Sequence, residues 1–156
     1  MSTKLINFTR LSLEDKKMVL EWRNSAEIRQ WMFEQRPISL TEHLAYIEHL
    51  KEQKERLYFL VREDEETVGV IDFTAIDYKN KSAEIGLYAN PALHGVGKIL
   101  MHSILEYGFQ TLQIKKLYAR VFCSNEKAIK LYKNFHFQTY KQDDTLLYME
   151  RTNENS

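Results

Sequence analysis

Apolar residues recur along this chain in two rhythms, one close to every second position and one close to every third or fourth. Lys4 to Thr9 alternates weakly and predicts a first strand. Ser12, with Asp15 three residues on, is a helix-capping signal, and the helix it opens carries Val19, Leu20, Trp22 and Arg23. Ser39-Leu40-Thr41-Glu42 is a clearer capping box; behind it Leu40, Leu44, Ile47 and Leu50 predict an amphipathic helix over 40–53. The β-rich run Leu57 to Arg62, a polar turn over 63–67 and a second run Val68 to Ile76 predict a hairpin. After a turn over 77–81 comes a strand, Ser82 to Ala89, which Pro91 stops. A loop over 92–97 leads to a helix from Lys98 to about 112, its apolar side formed by Ile99, Leu100, Ile104, Leu105 and Phe109. Lys116 to Phe122 is a strand and Asn125 to Asn134 a helix. Two final runs, Phe137 to Lys141 and Leu146 to Arg151, form a hairpin around Asp143-Asp144. The order β-α-α-β-β-β-α-β-α-β-β predicts a mixed α/β (α+β) sheet of about seven strands with helices on both faces, mainly antiparallel, with a parallel crossover after the fourth strand.

The 156 residues suit one domain, expected over 1–151, followed by a polar tail over 152–156. Lys plus Arg and Asp plus Glu number 22 each, so the net charge is zero, which argues against a broad electrostatic grip on nucleic acid or an anionic membrane. Cys123 is the one cysteine, which excludes an internal disulfide and a cysteine-based zinc site within one chain. No leader-like or membrane-length apolar run is present, and the expected compartment is the cytoplasm.

The candidate chemistry begins at Leu93-His94-Gly95-Val96-Gly97-Lys98, between a strand and a helix. Glycines let a ligand approach the backbone, and the first turn of a helix offers unpaired N–H groups and partial positive charge to a pyrophosphate. A plain strand-to-helix turn explains the same residues equally well. The third glycine of a dinucleotide fingerprint and the frame of a Walker loop are both absent. A second element stands on the next helix: Asn125-Glu126-Lys127-Ala128-Ile129-Lys130-Leu131-Tyr132, closed by Phe137. The two together resemble the signatures of the GNAT acetyltransferases, the acetyl-CoA loop and the Asn-x-x-Ala-x-x-x-Tyr-x-x-x-Gly-Phe segment, and the element order resembles that fold. Ala92 stands where the family usually has Gln or Arg, and His136 where it usually has Gly.

The resemblance implies acetyl-CoA as co-substrate, no metal, and a direct transfer. It implies that the strands 82–89 and 116–122 splay apart to admit the pantetheine arm. Backbone groups of Leu87, Tyr88 and Ala89 would pair with that arm, and one N–H there would polarise the thioester carbonyl. His94 to Lys98, with Gly95, Val96 and Gly97 between them, would hold the pyrophosphate, with Asn125, Lys127 and Ala128 beside the cofactor. Tyr132 would protonate the departing thiolate. The bland readings are an aromatic packing residue for Tyr132 and a helix N-cap for Asn125. Alternation places Ser82, Glu84, Gly86 and Tyr88 on one strand face. Glu84 is a candidate base, directly or through a water, and Ser82 a candidate for positioning the amine; both are equally well explained as surface strand residues.

For the acceptor, the N-terminal third resembles the bacterial acetyltransferases of the pseudaminic acid pathway, which act on the 4-amino group of a UDP-linked 4-amino-4,6-dideoxy sugar destined for flagellin. The stretches carrying this are Leu20 to Asn24, Gln30 to Phe33, Ser39 to Ile47, Tyr58 to Val61 and Gly69 to Phe73. Arg23 offers a fork of donors for a diphosphate. Met32, Phe33, Tyr46 and Tyr88 offer apolar surface to a base or a deoxy sugar, and His43 a hydrogen bond. Each of these is also explicable as core or as an ion pair. Ribosomal-protein N-terminal and polyamine acetyltransferases are the competing acceptor classes, and an acetyl-CoA-sensing module the competing non-enzyme. The Leu146-Leu147-Tyr148 hairpin is a candidate for pairing with a second subunit in a homodimer.

Overall fold

The computed structural model describes residues 2–153. A single seven-stranded sheet runs through them: β1 (Thr3–Asn7), β2 (Leu57–Glu63), β3 (Glu66–Asp77), β4 (Ser82–Ala89), β5 (Lys116–Phe122), β6 (Gln138–Gln142) and β7 (Leu146–Thr152), in the order β1-β2-β3-β4-β5-β7-β6. Every neighbouring pair is antiparallel except β4 with β5. The anticipated mixed sheet with one parallel crossover is therefore the observed one. Thr152, expected to begin the polar tail, closes β7 opposite Lys116, and residues 154–156 of that tail lie outside the described residues.

One sheet face carries α1 (Leu13–Asn24), the single turn α2 (Ala26–Arg29) and α3 (Leu40–Leu50). Their apolar sides bury Val19, Trp22, Ile28, Ile47 and Leu50 against Leu60 and Val70 of the sheet. The other face carries α4 (Gly97–Leu105) and α5 (Glu126–Asn134), which pack Leu100, Met101, Ile104 and Tyr132 over Ile71, Phe73, Ile85, Leu117 and Met149. Truncating a fully buried residue such as Phe73 or Leu100 to Ala would cost ~2–5 kcal/mol. No helix among the described residues is long and apolar enough to cross a membrane.

The capping signals work as expected: the Ser12 and Ser39 hydroxyls accept from the Asp15 and Glu42 N–H groups, each at 3.1 Å. Two stretches differ from expectation. The helix expected to run to about 112 is α-helical to Leu105 and then widens into a π turn over Glu106–Thr111. Gly108 falls in that turn, pressed on Phe73 so closely that a Cβ would stand 3.0 Å from the ring. Phe137 is not a strand residue but a buried plug. It follows His136, whose φ of 69° ends α5 with Phe137 N–H donating to Tyr132 O and His136 N–H to Lys133 O. That is a Schellman motif, and its left-handed position is the one where the family signature has glycine. The final hairpin also differs in its pairing capacity. β7 is bonded on both sides, so at that edge of the sheet only β6, exposed along its whole length, has a free side.

Candidate active site

The parallel pairing of β4 with β5 stops early. Ser82, Ala83 and Glu84 pair with Lys116, Leu117 and Tyr118, and beyond them the strands diverge. The β5-facing backbone of β4 from Ile85 onward thus has no partner strand. Asn90 N–H donates to Val68 O at 2.9 Å, so in this antiparallel register Tyr88 turns its backbone groups to Val70 of β3, while Ile85, Leu87 and Ala89 turn theirs to the gap. Of the three positions assigned to pantetheine pairing from the sequence, Leu87 and Ala89 border the gap with their backbone.

On the α4 side of the split lie the loop and helix expected to hold a pyrophosphate. Gly95 has a φ of 71° with open space around it. Val96 supplies no capping side chain to α4; Ile99 N–H donates to Val96 O at 3.0 Å, and the N–H groups of Gly97 and Lys98 in that first turn are left to water or a ligand. His94 is exposed, and Gly97 packs on Leu131. Across the split, Asn125 Oδ1 accepts from Ala128 N–H at 3.2 Å and starts α5; Lys127 is exposed beside it. One turn further on, Tyr132 is 6% exposed and meets Phe137 edge-on at 5.2 Å. Burial, together with the charges of Asp72 and Glu84, pushes the Tyr132 phenol well above its ordinary value. It therefore holds its proton at neutral pH, the state a proton donor needs. The backbone and charge pattern of this half fit a pantetheine pyrophosphate.

On the opposite face, the residues of α1 organise a long loop over 30–39. Arg23 Nη2 donates to Glu34 O at 2.7 Å. Asn24 clasps Ile38 from both sides, its Nδ2 donating to Ile38 O and its Oδ1 accepting from Ile38 N–H, each at 2.8 Å. The loop so held lays Trp31 and Phe33 against Phe122 of β5, and Arg120 lies 4.4 Å over the Phe33 ring. Half-buried Met32 packs on the α1–α3 core behind them. Arg23 Nη1 is buried with no hydrogen-bond partner among the described residues. Tyr88 and Tyr58 both lie within electrostatic reach of this guanidinium. Tyr46 donates its hydroxyl to Tyr58 at 3.1 Å and accepts from Arg56.

His43 stands apart from this group. It is buried between α1 and α3, where its Nε2 donates to Lys16 O at 2.8 Å, and burial lowers its pKa, so it is neutral. Glu84, a candidate base from the sequence, has both oxygens bound by Arg120, at 2.7 and 2.8 Å. Ser82 and Glu84 border a cavity of about 640 Å³ whose other walls include Tyr118, Arg120, Tyr140 and Tyr148.

Sequence reasoning missed one group at the centre. Asp72 of β3 pairs with Gly86 of β4, and its carboxylate lies over that glycine, 2.7 Å from where a Cβ would stand. It accepts no hydrogen bond among the described residues, and burial, then the charge of Glu84, pushes it up to about 7. The available signal was a single carboxylate inside the apolar run Val68 to Phe73, on the strand face that Val70 also occupies. No group of three His, Cys, Asp or Glu side chains suited to a metal comes together among the described residues.

A seven-stranded mixed sheet split between its parallel strands, with a phosphate-type loop and a buried tyrosine at the split, is the architecture of acyl transfer from coenzyme A. The match is explicit over residues 6–138, which fit the acetyltransferase (GNAT) domain, and the chain belongs to that family. Among its relatives is the acetyltransferase PseH of Campylobacter jejuni, 44% identical over 140 residues that cover 90% of this chain and 87% of that one. The crystal structure of Campylobacter jejuni N-acetyltransferase PseH in complex with acetyl coenzyme A superposes with a TM-score of 0.84 at 39% identity, covering 98% of this chain and all of the other. The spermidine N(1)-acetyltransferase of Escherichia coli is 32% identical over 131 residues, 81% of this chain and 69% of its own length.

Proposed function

We propose that this acetyltransferase moves the acetyl group of acetyl-CoA directly onto the 4-amino group of a UDP-linked 4-amino-4,6-dideoxy sugar, in the making of pseudaminic acid. The co-substrate reading is supported by the complex of the Campylobacter relative with acetyl coenzyme A and by the split between β4 and β5. Leu87 and Ala89 receive the pantetheine arm and one of their N–H groups polarises the thioester carbonyl. His94 to Lys98 hold the pyrophosphate, while Asn125, Lys127 and Ala128 flank the arm. Tyr132 gives its proton to the departing sulfur.

The observation that carries the acceptor class is Arg23. A buried guanidinium nitrogen without a partner, among tyrosines, seeks an anion and repels a polycation. Two carboxylates that a polyamine site would need near the loop are already engaged. Arg36 pairs with Glu42 at 2.7 Å and with Glu34 at 3.6 Å. Met32, Phe33, Tyr46 and Tyr88 supply apolar surface for the base and the 6-deoxy carbon, and Ser82 and Glu84 steady the sugar from β4. His43 adds at most its Nδ1, since Nε2 is engaged by Lys16. Such substrates place the enzyme in the cytoplasm, and a second copy would join at the β6 edge. UDP alone is expected to inhibit competitively against the amine acceptor, with spermidine having no effect. Competition by spermidine and none by UDP would move the acceptor to the polyamine class.

A further inference from the structure

We propose that Asp72 is the catalytic base, taking the proton from the acceptor's ammonium group at the β4 side of the split. The inference rests on the reading of the site as an amine acetyltransferase, and does not depend on which amine is used.

Position carries the proposal. Gly86 lies two residues past the last β4–β5 pair, at the lip of the split, and the Asp72 carboxylate reaches across it from β3. The missing side chain at Gly86 is what gives the carboxylate its line to the gap. Tyr132 stands on the α5 side, and the charge of Asp72 is felt at its phenol. One proton acceptor and one proton donor thus flank the place where the thioester carbon would lie. The other groups facing Asp72 are Glu84 of β4, Tyr58 of β2 and Tyr88 of β4. Both tyrosines have their phenols pushed upward, so neither is an anion competing for the role. Glu84, the other carboxylate of this group, is fastened by two hydrogen bonds to Arg120. Asp72 accepts none among the described residues, so its lone pairs are available to an ammonium. Burial raises its proton affinity to a value suited to a base at neutral pH.

The proton count closes. Asp72 takes one proton from the ammonium, and the freed amine nitrogen bonds to the thioester carbonyl carbon. The carbon–sulfur bond then breaks, and the Tyr132 hydroxyl protonates the sulfur. The nitrogen's second surplus proton returns to the tyrosinate. Asp72 releases its proton to water, so each turnover gives one amide, one thiol and one proton.

The test compares Asp72→Asn with wild type over pH, with acetyl-CoA affinity as a check on folding. The wild-type kcat/KM should rise through a pKa near 7, whereas Asp72→Asn should fall by about 100-fold at neutral pH and recover as pH approaches the amine's own pKa. Tyr132→Phe should show no such recovery. Parallel profiles for Asp72→Asn and wild type would overturn the proposal. A second readout needs no acceptor: with 13C-labelled aspartate, one carboxyl resonance should titrate near neutral pH in wild type and be absent from Asp72→Asn. No carboxyl titrating near neutral pH would also overturn it. Failure of wild type to use a UDP-amino sugar, with that resonance present, would sink only the acceptor reading.

Discussion

At the scale of single residues, Tyr132 on α5 and His136 just beyond it carry distinct expectations. Tyr132 packs edge-on against Phe137 and is also the proposed proton donor at the split; Tyr132→Phe separates the roles because the ring stays. Turnover should fall by roughly 100-fold or more, with acetyl-CoA affinity unchanged in a binding titration. Wild-type turnover in that variant would leave Tyr132 as packing alone. His136 holds the left-handed turn after α5, with a φ of 69° that glycine adopts at no steric cost. His136→Gly should therefore stabilise the fold by about 0.5–1 kcal/mol in urea unfolding, without altering turnover.

At the scale of elements, the loop over 30–39 owes its place to α1. Asn24→Ala removes both hydrogen bonds to Ile38 while leaving Arg23 on Glu34. The stability loss should be about 1–2 kcal/mol. The KM for the amine should rise several-fold with that for acetyl-CoA unchanged, because Trp31 and Phe33 lie on the proposed acceptor side of the split. Equal changes in both constants would argue that the loop serves the whole site. The dependence of a loop on a distant helix also explains what the sequence made legible. Strands such as Ser82–Ala89 and Lys116–Phe122, and the capped helices, were readable because period and caps are local. The four-residue α2 is too short to show a period, and the π turn depends on Gly108 meeting Phe73 from another element. The motif residues from His94 to Lys98 and Asn125 to Tyr132 were readable for the same local reason. Asp72, Asn24 and Arg120 were not, since their meaning comes from partners at Gly86, Ile38 and Glu84 that only the tertiary pairing supplies.

At the scale of the whole molecule, Asp72 links activity to stability. Its folded-state pKa of about 7 lies above that of an unfolded aspartate, so the folded chain binds the proton more tightly. Stability from this group is therefore fully present below pH ~4 and is lost as pH rises through 7. Asp72→Asn removes that dependence. Between about pH 5 and about pH 8, wild type should lose roughly 2 kcal/mol relative to the variant in denaturant unfolding. His43, buried in both proteins, cancels from the comparison. Parallel stability profiles would mean that the carboxylate is solvated in the folded protein. A net charge of zero leaves acceptor choice to local groups rather than to a long-range field, which puts the weight on Arg23 and its neighbours.

The acceptor assignment is the central claim, and release of free thiol from acetyl-CoA measures it most directly. Purified protein would be offered a UDP-4-amino-4,6-dideoxy sugar, spermidine and a short ribosomal-type peptide in parallel. Rapid thiol release with the nucleotide sugar, and background rates with the other two, is the expected result. Release with spermidine or the peptide and none with the nucleotide sugar would contradict it, leaving the fold and the Tyr132 chemistry in place but reassigning the pocket around Arg23.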